Sequence, residues 1–417
     1  MRMTREERDW ILYDVANSAF VLVMVTAIMP IYFKDVMAVG QPPHVATAHW
    51  GFANATASLI LALLAPVLGA MADYPGRKKR FFVVFLLAGV LLNLALPLIP
   101  EGQWLPCLLL FVLARVGWAG ANIFYDAFLV DITSHDRMDL ISARGYAYGY
   151  IGSVIPFIVV IGLILAAGGG DTLPAGPARV GFAIVALWWL CFSLPAMRSL
   201  RQVHALPAST TPFRDSFRRI GQITREIRQY PQVFLFLVAY FFYIDGVDTV
   251  ISMATAYGRD LGFSVTLLIA VLLFIQIVAF PFALLYGRLA SRFTTKTMLL
   301  GGILIYCLVT VCAFLLPSIA DPQWKNAAFW GIAFLVASAM GGIQALSRSF
   351  FGRLIPPEKS AEFFGFYNVF GKFAAIAGPF LMGLVGRLAG DSRWGVLSLL
   401  VLFVLGALFL TRVRVGE

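Results

Sequence analysis

The 417-residue sequence has few of the residues that build soluble or secreted proteins. Only 13% of its residues are charged and 60% are hydrophobic, and a soluble fold of this size could not hide so much apolar surface. Intrinsic disorder is excluded because it requires low hydrophobicity. The four cysteines all lie inside apolar runs, where a thiol usually acts as a small hydrophobic side chain and not as half of a disulfide. The composition therefore indicates a membrane protein.

Motifs of the common enzyme and pump classes are also missing. The sequence contains no His-Glu-x-x-His, no Gly-x-x-x-x-Gly-Lys-Ser/Thr and no Gly-x-Ser-x-Gly, and its four histidines lie in or beside loops. We therefore predict no catalytic residue, no metal site and no cofactor, and we expect that the chain is not an enzyme. Without an ATP-binding motif, energy must come from gradients, or the flux is passive.

Long apolar runs predict twelve membrane-spanning helices. A span needs about 20 mostly apolar residues, and these runs lack the alternation of a barrel strand. The runs lie at approximately 10–33, 49–72, 81–100, 104–130, 144–168, 179–199, 231–257, 264–287, 297–317, 326–350, 362–389 and 394–411. The first is too long for a signal peptide, and no small-residue cleavage pattern follows it.

The net charge of +10 reports the orientation of these helices. The basic residues are dispersed among the spans and no nucleic-acid motif accompanies them, so we expect no nucleic-acid partner. Most of the 32 Lys and Arg residues lie in alternate loops, on the side of the N-terminus. Because positive charge stays in the cytoplasm, we predict that both termini are cytoplasmic, which agrees with an even number of spans.

An internal repeat relates the two halves of the chain. Asp-x-x-Asn-Ser at residues 14–18 corresponds to Asp-x-x-Asp-Thr at 245–249, and residues 120–156 run parallel to 341–379. Chance similarity among Gly- and Phe-rich helices is the alternative explanation. A true duplication would give two homologous bundles around a central cavity, which is the architecture of alternating access.

The longest charged break separates six spans from six. We therefore expect an all-α membrane protein with an N-terminal six-helix bundle at residues 1–200 and a C-terminal one at 231–417. The cytoplasmic linker at 201–230 should contain an amphipathic helix on the membrane surface, because its apolar residues share one helical face between arginines. These apolar residues are Phe213, Phe217, Ile220 and Ile227.

Polar residues inside the spans are the candidate functional residues. A charge at membrane depth costs about 3 kcal/mol, so it should face the bundle interior. We predict solute or proton binding by Asp14, Asn17, Arg115, Asn122, Asp245, Asp248, Gln276 and Lys372. A structural ion-pair lattice is the competing interpretation of this set. In particular, Arg115 or Lys372 could bind a carboxylate of the solute or merely neutralise an aspartate.

The two carboxylates of span 7 point to proton transfer. Asp245 and Asp248 lie on one helical turn and repel each other, so at least one of them should take up a proton readily. In span 4, Arg115, Asn122 and Asp126 share a stripe that is roughly 16 Å long. That stripe should line something polar.

The loop between spans 2 and 3 resembles a signature of the major facilitator superfamily. Residues 69–79, GAMADYPGRKK, match the pattern G-x-x-A-D-x-x-G-R-K. In that superfamily the Asp and the basic residues latch the cytoplasmic ends of the two halves, and the resemblance implies this gating role for Asp73, Gly76, Arg77 and Lys78. Ser291 stands where the second-half copy would have Asp, so only the first latch is expected to be complete.

Within the superfamily, the chain resembles the autophagy-related vacuolar effluxers and their bacterial relatives. The resemblance rests on YDVANSAF at 13–20, YIDGVDT at 243–249 and QALSRS at 344–349. It implies the major facilitator fold and, from the fungal members, export of amino acids. Val15 and residues 125–130 depart from the family pattern. The short termini suit a prokaryotic plasma (inner) membrane protein.

Taken with the resemblance, these observations predict a secondary active transporter. We expect it to move a small, polar, amino-acid-like solute outward by alternating access, with proton coupling, and to have solute, protons and membrane lipids as partners. An exporter of amphipathic drugs or lipids is the first alternative, given 36 phenylalanines. A non-transporting membrane receptor or scaffold is the second.

Overall fold

The computed structural model describes residues 3–169, 173–207 and 230–414. Within these ranges, twelve helices are long and apolar enough to cross a membrane, which confirms the predicted number of spans. The amphipathic helix predicted for the linker falls on residues 208–229, which lie outside the described residues.

Six of these helices belong to the first half of the sequence. They are α1 (Arg5–Met37), α2 (Pro43–Ala72), α3 (Arg77–Ala95), α4 (Trp104–Ala127), α5 (Met138–Ala166) and α6 (Ala175–Ser199). A further helical turn, Leu129–Ile132, follows α4.

The other six helices belong to the second half. They are α7 (Pro231–Asp260), α8 (Val265–Leu289), α9 (Thr295–Leu315), α10 (Pro322–Leu354), α11 (Ser360–Ala389) and α12 (Ser392–Arg412). Four of them begin after a side chain that accepts hydrogen bonds from the first unpaired N–H groups of the helix. These N-cap residues are Ser264, Thr294, Asp321 and Asp391.

Helix α1 changes its hydrogen-bonding pattern along its length. A capping box between Thr4 and Glu7 begins the helix. The helix widens into a π-helix at Phe20–Ala27, returns to α-helix at Ile28–Tyr32, and widens again at Phe33–Met37. Because π-helical segments are rare and often mark functional sites, this irregular segment singles out α1. Its first widening follows directly after the polar turn of the helix.

The chain divides into two compact units. Unit 1 comprises Met1–Ile132, Tyr148–Phe217 and Pro357–Phe366, and unit 2 comprises Thr133–Ala147, Arg218–Pro356 and Tyr367–Glu417. Each unit thus holds most of one half together with the first turns of one helix from the other half. Unit 1 holds the start of α11 and unit 2 the start of α5. The predicted division into 1–200, 201–230 and 231–417 assigns whole helices to each half and stays a prediction.

Small residues let helices approach closely within each unit. In unit 1, a Cβ atom added at Gly117 of α4 would lie 2.6 Å from the Cα atom of Gly89 in α3. In unit 2, a Cβ atom added at Gly246 of α7 would lie 2.6 Å from the ring of Phe403 in α12. In lipid, where apolar surface gains little from association, such close packing holds helices together. It also fixes the polar faces of α4 and α7.

Candidate functional site

The polar turn of α1 is buried within unit 1. Asp14 and Asn17 are each only 6% exposed. The Asn17 amide donates to the backbone carbonyl of Tyr13 at 2.9 Å and to the Asp14 carboxylate at 3.4 Å. Helix α5 packs onto this turn at Gly149, where an added Cβ atom would lie 2.7 Å from Ser18 Oγ. The turn is therefore directed into the unit.

Tyr13 links this turn to the polar stripe of α4. Its hydroxyl donates to Asn122 Oδ1 at 3.2 Å, and its ring centroid lies 4.5 Å from that of Tyr125. Tyr125 also stacks on Trp10, whose indole N–H donates to the Tyr125 carbonyl at 2.9 Å. This hydrogen bond and the aromatic packing hold Asn122 against the turn of α1 that also carries Asp14 and Asn17.

Arg115, in the middle of α4, has no such link. Its Nη1 atom is buried and has no hydrogen-bond acceptor among the described residues. No described carboxylate forms an ion pair with its guanidinium, including Asp126 of the same stripe. In this arrangement, Arg115 does not neutralise an aspartate.

Asp245 is the fully buried carboxylate of α7 in unit 2. Its Oδ1 atom accepts the N–H of Gly378 at 2.7 Å and the Thr249 hydroxyl at 3.5 Å. Its Oδ2 atom is buried and has no hydrogen-bond partner among the described residues. A Cβ atom added at Gly378 would lie 2.6 Å from Oδ1, so glycine is what allows α11 to approach this carboxylate.

The remaining predicted residues of unit 2 lie on α7, α8 and α11. Asp248 is half-buried on the same turn as Asp245. Gln276 of α8 has a buried Oε1 atom without a hydrogen-bond donor in the described part of the chain. The backbone of Lys372 belongs to α11, whereas its side chain lies outside what the structure describes.

Asp73, the predicted gate carboxylate, binds the start of α11 within unit 1. Its two oxygens accept the N–H groups of Ala361 at 2.8 Å and Glu362 at 2.9 Å. Complete burial raises the pKa of Asp73 from 3.8 to about 8, although the Lys78 ammonium and the two N–H groups act to lower it. An anion or a strongly polar group is favoured at this position because the first N–H groups of a helix have no partner inside it.

Lys78 is also fully buried and joins three elements. Its ammonium donates to Asp131 at 2.7 Å and to the Ser360 hydroxyl at 2.7 Å. Asp131 also accepts the backbone N–H of His204 at 2.8 Å. We call Asp73, Lys78, Asp131 and Ser360 the α11 cluster.

The other two predicted gate residues surround the start of α3. Gly76 has φ +69°, a left-handed conformation that favours glycine, and it directly precedes the helix. Arg77 is half-buried and makes no hydrogen bond or ion pair with a described residue. Of the four predicted gate residues, Asp73 and Lys78 therefore contact α11.

A second polar cluster lies within unit 2 at the start of α5. Asp139 accepts from the Thr295 hydroxyl at 2.7 Å and pairs with Arg353 at 2.8 Å. Arg353 also donates to Thr295 Oγ1 at 2.5 Å, and the Ser349 hydroxyl donates to the second carboxylate oxygen of Asp139. We call Asp139, Thr295, Ser349 and Arg353 the α5 cluster.

The two clusters use corresponding elements of the repeat with the charges redistributed. In the α11 cluster, a lysine at the start of α3 pairs with an aspartate just after α4. In the α5 cluster, a threonine at the start of α9 and an arginine near the end of α10 contact an aspartate on α5.

Sequence reasoning missed six residues of these two clusters. They are Asp131, Asp139, Thr295, Ser349, Arg353 and Ser360. The available signal was their position at corresponding helix ends.

This arrangement places hydrogen-bonding groups inside the membrane-spanning helices. In the part of the chain that the structure describes, the membrane-spanning helices carry a guanidinium nitrogen of Arg115 and a carboxylate oxygen of Asp245 without hydrogen-bond partners, together with side-chain amides. Among the described residues, no group of three His, Cys, Asp or Glu side chains is placed to hold a metal ion. Each of the two polar clusters at helix starts is a connected hydrogen-bond network, so we expect the contacts within a cluster to depend on one another.

Sequence comparison places the chain among known membrane proteins. The model of the family described as vacuole effluxer Atg22-like matches residues 3–417. The uncharacterized MFS-type transporter YxiO of Bacillus subtilis (strain 168) is 47% identical over 413 residues, which cover 98% of this chain and 95% of YxiO. Autophagy-related protein 22 of Cryptococcus neoformans is 27% identical over 296 residues. That match spans 66% of this chain but about half, 50%, of the fungal protein.

Solved structures of major facilitator transporters share the fold. The proton:xylose symporter XylE superposes with a TM-score of 0.75 at 12% identity, covering 98% of this chain and 95% of XylE. An outward-facing bacterial homologue of the iron transporter ferroportin gives a TM-score of 0.68 at 14% identity, covering 99% of both chains. At such identities the likeness concerns the fold alone. The chain thus has the major facilitator fold, and as an MFS-type multi-pass membrane transporter it belongs to the Atg22-like vacuole effluxer family.

Proposed function

We propose that this transporter exports a small, polar, amino-acid-like solute by alternating access and couples the flux to protons. The observation that carries the proposal is Asp245, a fully buried carboxylate in a membrane-spanning helix, one oxygen of which has no hydrogen-bond partner among the described residues. A fixed charge in this position is costly. Binding a proton removes that cost, and releasing it on the other side of the membrane gives a coupled cycle.

The contacts of Asp245 support reversible protonation. Oδ1 keeps the Gly378 N–H in both protonation states, because the carbonyl oxygen of a neutral carboxyl group also accepts hydrogen bonds. Oδ2 requires a donor when it is ionised and an acceptor when it is protonated. Asp248 on the same turn disfavours a second negative charge and so favours proton uptake.

Direction and solute class are inferred from the relatives and from the polar side chains. The matching family is described as vacuole effluxers, which supports export. Asn17, Asn122 and Gln276 provide amide groups that suit a polar solute better than a lipid. The bacterial relative supports a plasma membrane location, and the positive-inside rule supports cytoplasmic termini. We infer transport without catalysis, with the solute, protons and membrane lipids as partners.

The α11 cluster supports the gating role proposed for residues 73–78. Asp73 and Lys78 hold the first turn of α11 through three short contacts within unit 1. A change of state that moves α11 has to break these contacts. The predicted bundles, 1–200 and 231–417, are the bodies we propose to move.

Reconstituted transport of Asp245→Asn tests the proposal. Proteoliposomes loaded with labelled amino acids are assayed in two ways, by counterflow exchange without a gradient and by net flux driven by an imposed pH gradient. Asparagine keeps the hydrogen bond to Gly378 but cannot ionise, so we expect exchange to persist and pH-driven flux to fall at least tenfold. Asp35→Asn, an exposed carboxylate of α1, is the matched control and should retain both activities.

The two assays separate transport from coupling. Absence of counterflow by the wild type with every amino acid, together with exchange of hydrophobic amines, would support a drug exporter instead. Exchange of amino acids with unchanged pH dependence in Asp245→Asn would remove the role of Asp245 and leave the transport proposal intact.

A further inference from the structure

Arg115 stands out because no described residue pairs with its charge. It lies in the middle of the 24-residue α4, and its buried Nη1 atom has no acceptor among those residues. A buried cation normally pairs with a carboxylate or with backbone carbonyl groups. Here no ion pair with a described residue exists.

The neighbouring polar groups are engaged elsewhere or lie too far away. Asn122, two turns along the stripe, accepts from the Tyr13 hydroxyl. Asp126 is eleven residues from Arg115, which corresponds to roughly 16 Å along the helix axis. Asn17 donates to Tyr13 and Asp14. A purely structural role as the counter-charge of an aspartate is therefore not supported by the contacts of unit 1.

An anion would supply the partner that the Arg115 guanidinium lacks among the described residues. Guanidinium is planar, always charged, and presents parallel N–H donors that match the two oxygens of a carboxylate. Such bidentate pairs are stronger than neutral hydrogen bonds, particularly away from water.

We propose that Arg115 binds the carboxylate of the transported solute. This inference rests on the proposed transport function and narrows its substrate class to molecules that carry a carboxylate. Neutral amides of the same molecules lack the negative charge and should bind poorly. The subsite is contained in unit 1 and is separate from the Asp245 carboxylate of unit 2.

The test compares acids with their amides in Arg115 variants. Counterflow of each labelled amino acid that the wild type exchanges is competed with the unlabelled acid and with its amide. We expect the acid to compete roughly 10- to 100-fold better than the amide, as expected for one charge-assisted bidentate contact. Arg115→Gln should abolish this preference, and Arg115→Lys, which keeps the charge without the planar fork, should restore only part of it. Arg80→Gln, an exposed arginine of α3, should retain it.

Thermal unfolding of the purified chain gives an independent readout. Acetate and benzoate should stabilise the wild type and Arg80→Gln more than acetamide and benzamide do, and this difference should vanish in Arg115→Gln. If the wild type exchanges no amino acid but shows this difference, transport of amino acids fails while the anion subsite stands. Equal competition by acid and amide, or an unchanged acid preference in Arg115→Gln, overturns the assignment of Arg115.

Discussion

Asp73 acts as an N-cap for a helix that it does not directly precede in the chain. Ordinary N-cap residues stand just before the helix, whereas Asp73 follows α2 and accepts the first N–H groups of α11, almost 300 residues later. In the sequence, Asp73 is 288 residues from Ala361 and 289 residues from Glu362. Asp73 therefore holds the start of α11 in unit 1 together with Lys78, which donates to Ser360.

The pKa of Asp73 predicts a pH-dependent stability. Because burial raises this pKa from 3.8 to about 8, the folded state prefers the protonated group. Its contribution is complete below the unfolded value of 3.8 and is lost as the pH rises through about 8. We expect the thermal unfolding temperature of the wild type to fall between pH 5 and pH 9, and Asp73→Asn, which cannot ionise, to show a smaller fall.

Asp136 provides the control for this pH series. It is an exposed carboxylate between α4 and α5, and a hydrogen bond from the Ser134 side chain lowers its pKa. Asp136→Asn should keep the slope of the wild type. A slope in Asp73→Asn equal to that of the wild type would show that other groups cause the dependence.

At the scale of helices, the α5 cluster binds the start of α5, although the second half of the chain lacks the Asp of the motif at residues 69–79. Ser291 occupies the position equivalent to Asp73, yet α5 is held by Asp139 through Arg353, Thr295 and Ser349. The side chains of Asp139 and Arg353 are 11% and 15% exposed. Removing one partner of a buried ion pair also leaves the other charge buried without its partner. The effects of substituting these two residues on the free energy of unfolding should therefore be strongly coupled.

A double-mutant cycle measures that coupling. Asp139→Asn and Arg353→Gln are made singly and together, and thermal and denaturant unfolding of the four proteins are compared. We expect a coupling free energy of about 1–3 kcal/mol, because each single variant leaves the other group without its charged partner. Asp391 and Arg393 form a pair of similar length, 2.6 Å, but their side chains are 40% and 36% exposed. Their cycle should give less than about 1 kcal/mol. Equal coupling in both cycles would argue against a special role of the α5 cluster.

At the scale of the whole molecule, the apolar runs predicted the twelve helices because lipid leaves the backbone few alternatives. The superfamily motif singled out Asp73 and Lys78, which contact the start of α11, and their gating role stays a prediction. The α5 cluster could not be found in this way, since Asp139 is 156 residues from Thr295 and 210 from Ser349 and no short spacing connects them. The π-helical segments of α1 were equally hidden, because an apolar run looks the same in α- and π-helices.

At the same scale, the orientation of the chain in the membrane can be tested at the C-terminus and at one loop. From twelve spans and basic loops on alternate sides we predict that the C-terminus lies in the cytoplasm. A fluorescent protein fused after Glu417 should fluoresce, and an alkaline phosphatase fused there should be inactive. The same phosphatase inserted after Lys325, in the first turn of α10 and before its apolar part, should be active. The reverse pattern would invert the topology.

The split of α5 and α11 between the two units has a mechanical consequence. Each helix is continuous, yet its first turns are anchored in one unit and its remainder in the other, with the changes at residues 147–148 and 366–367. Rotation of the units as rigid bodies must bend α5 and α11 or detach their first turns. The free energy of that bending or detachment adds to the barrier of any rearrangement between the two units.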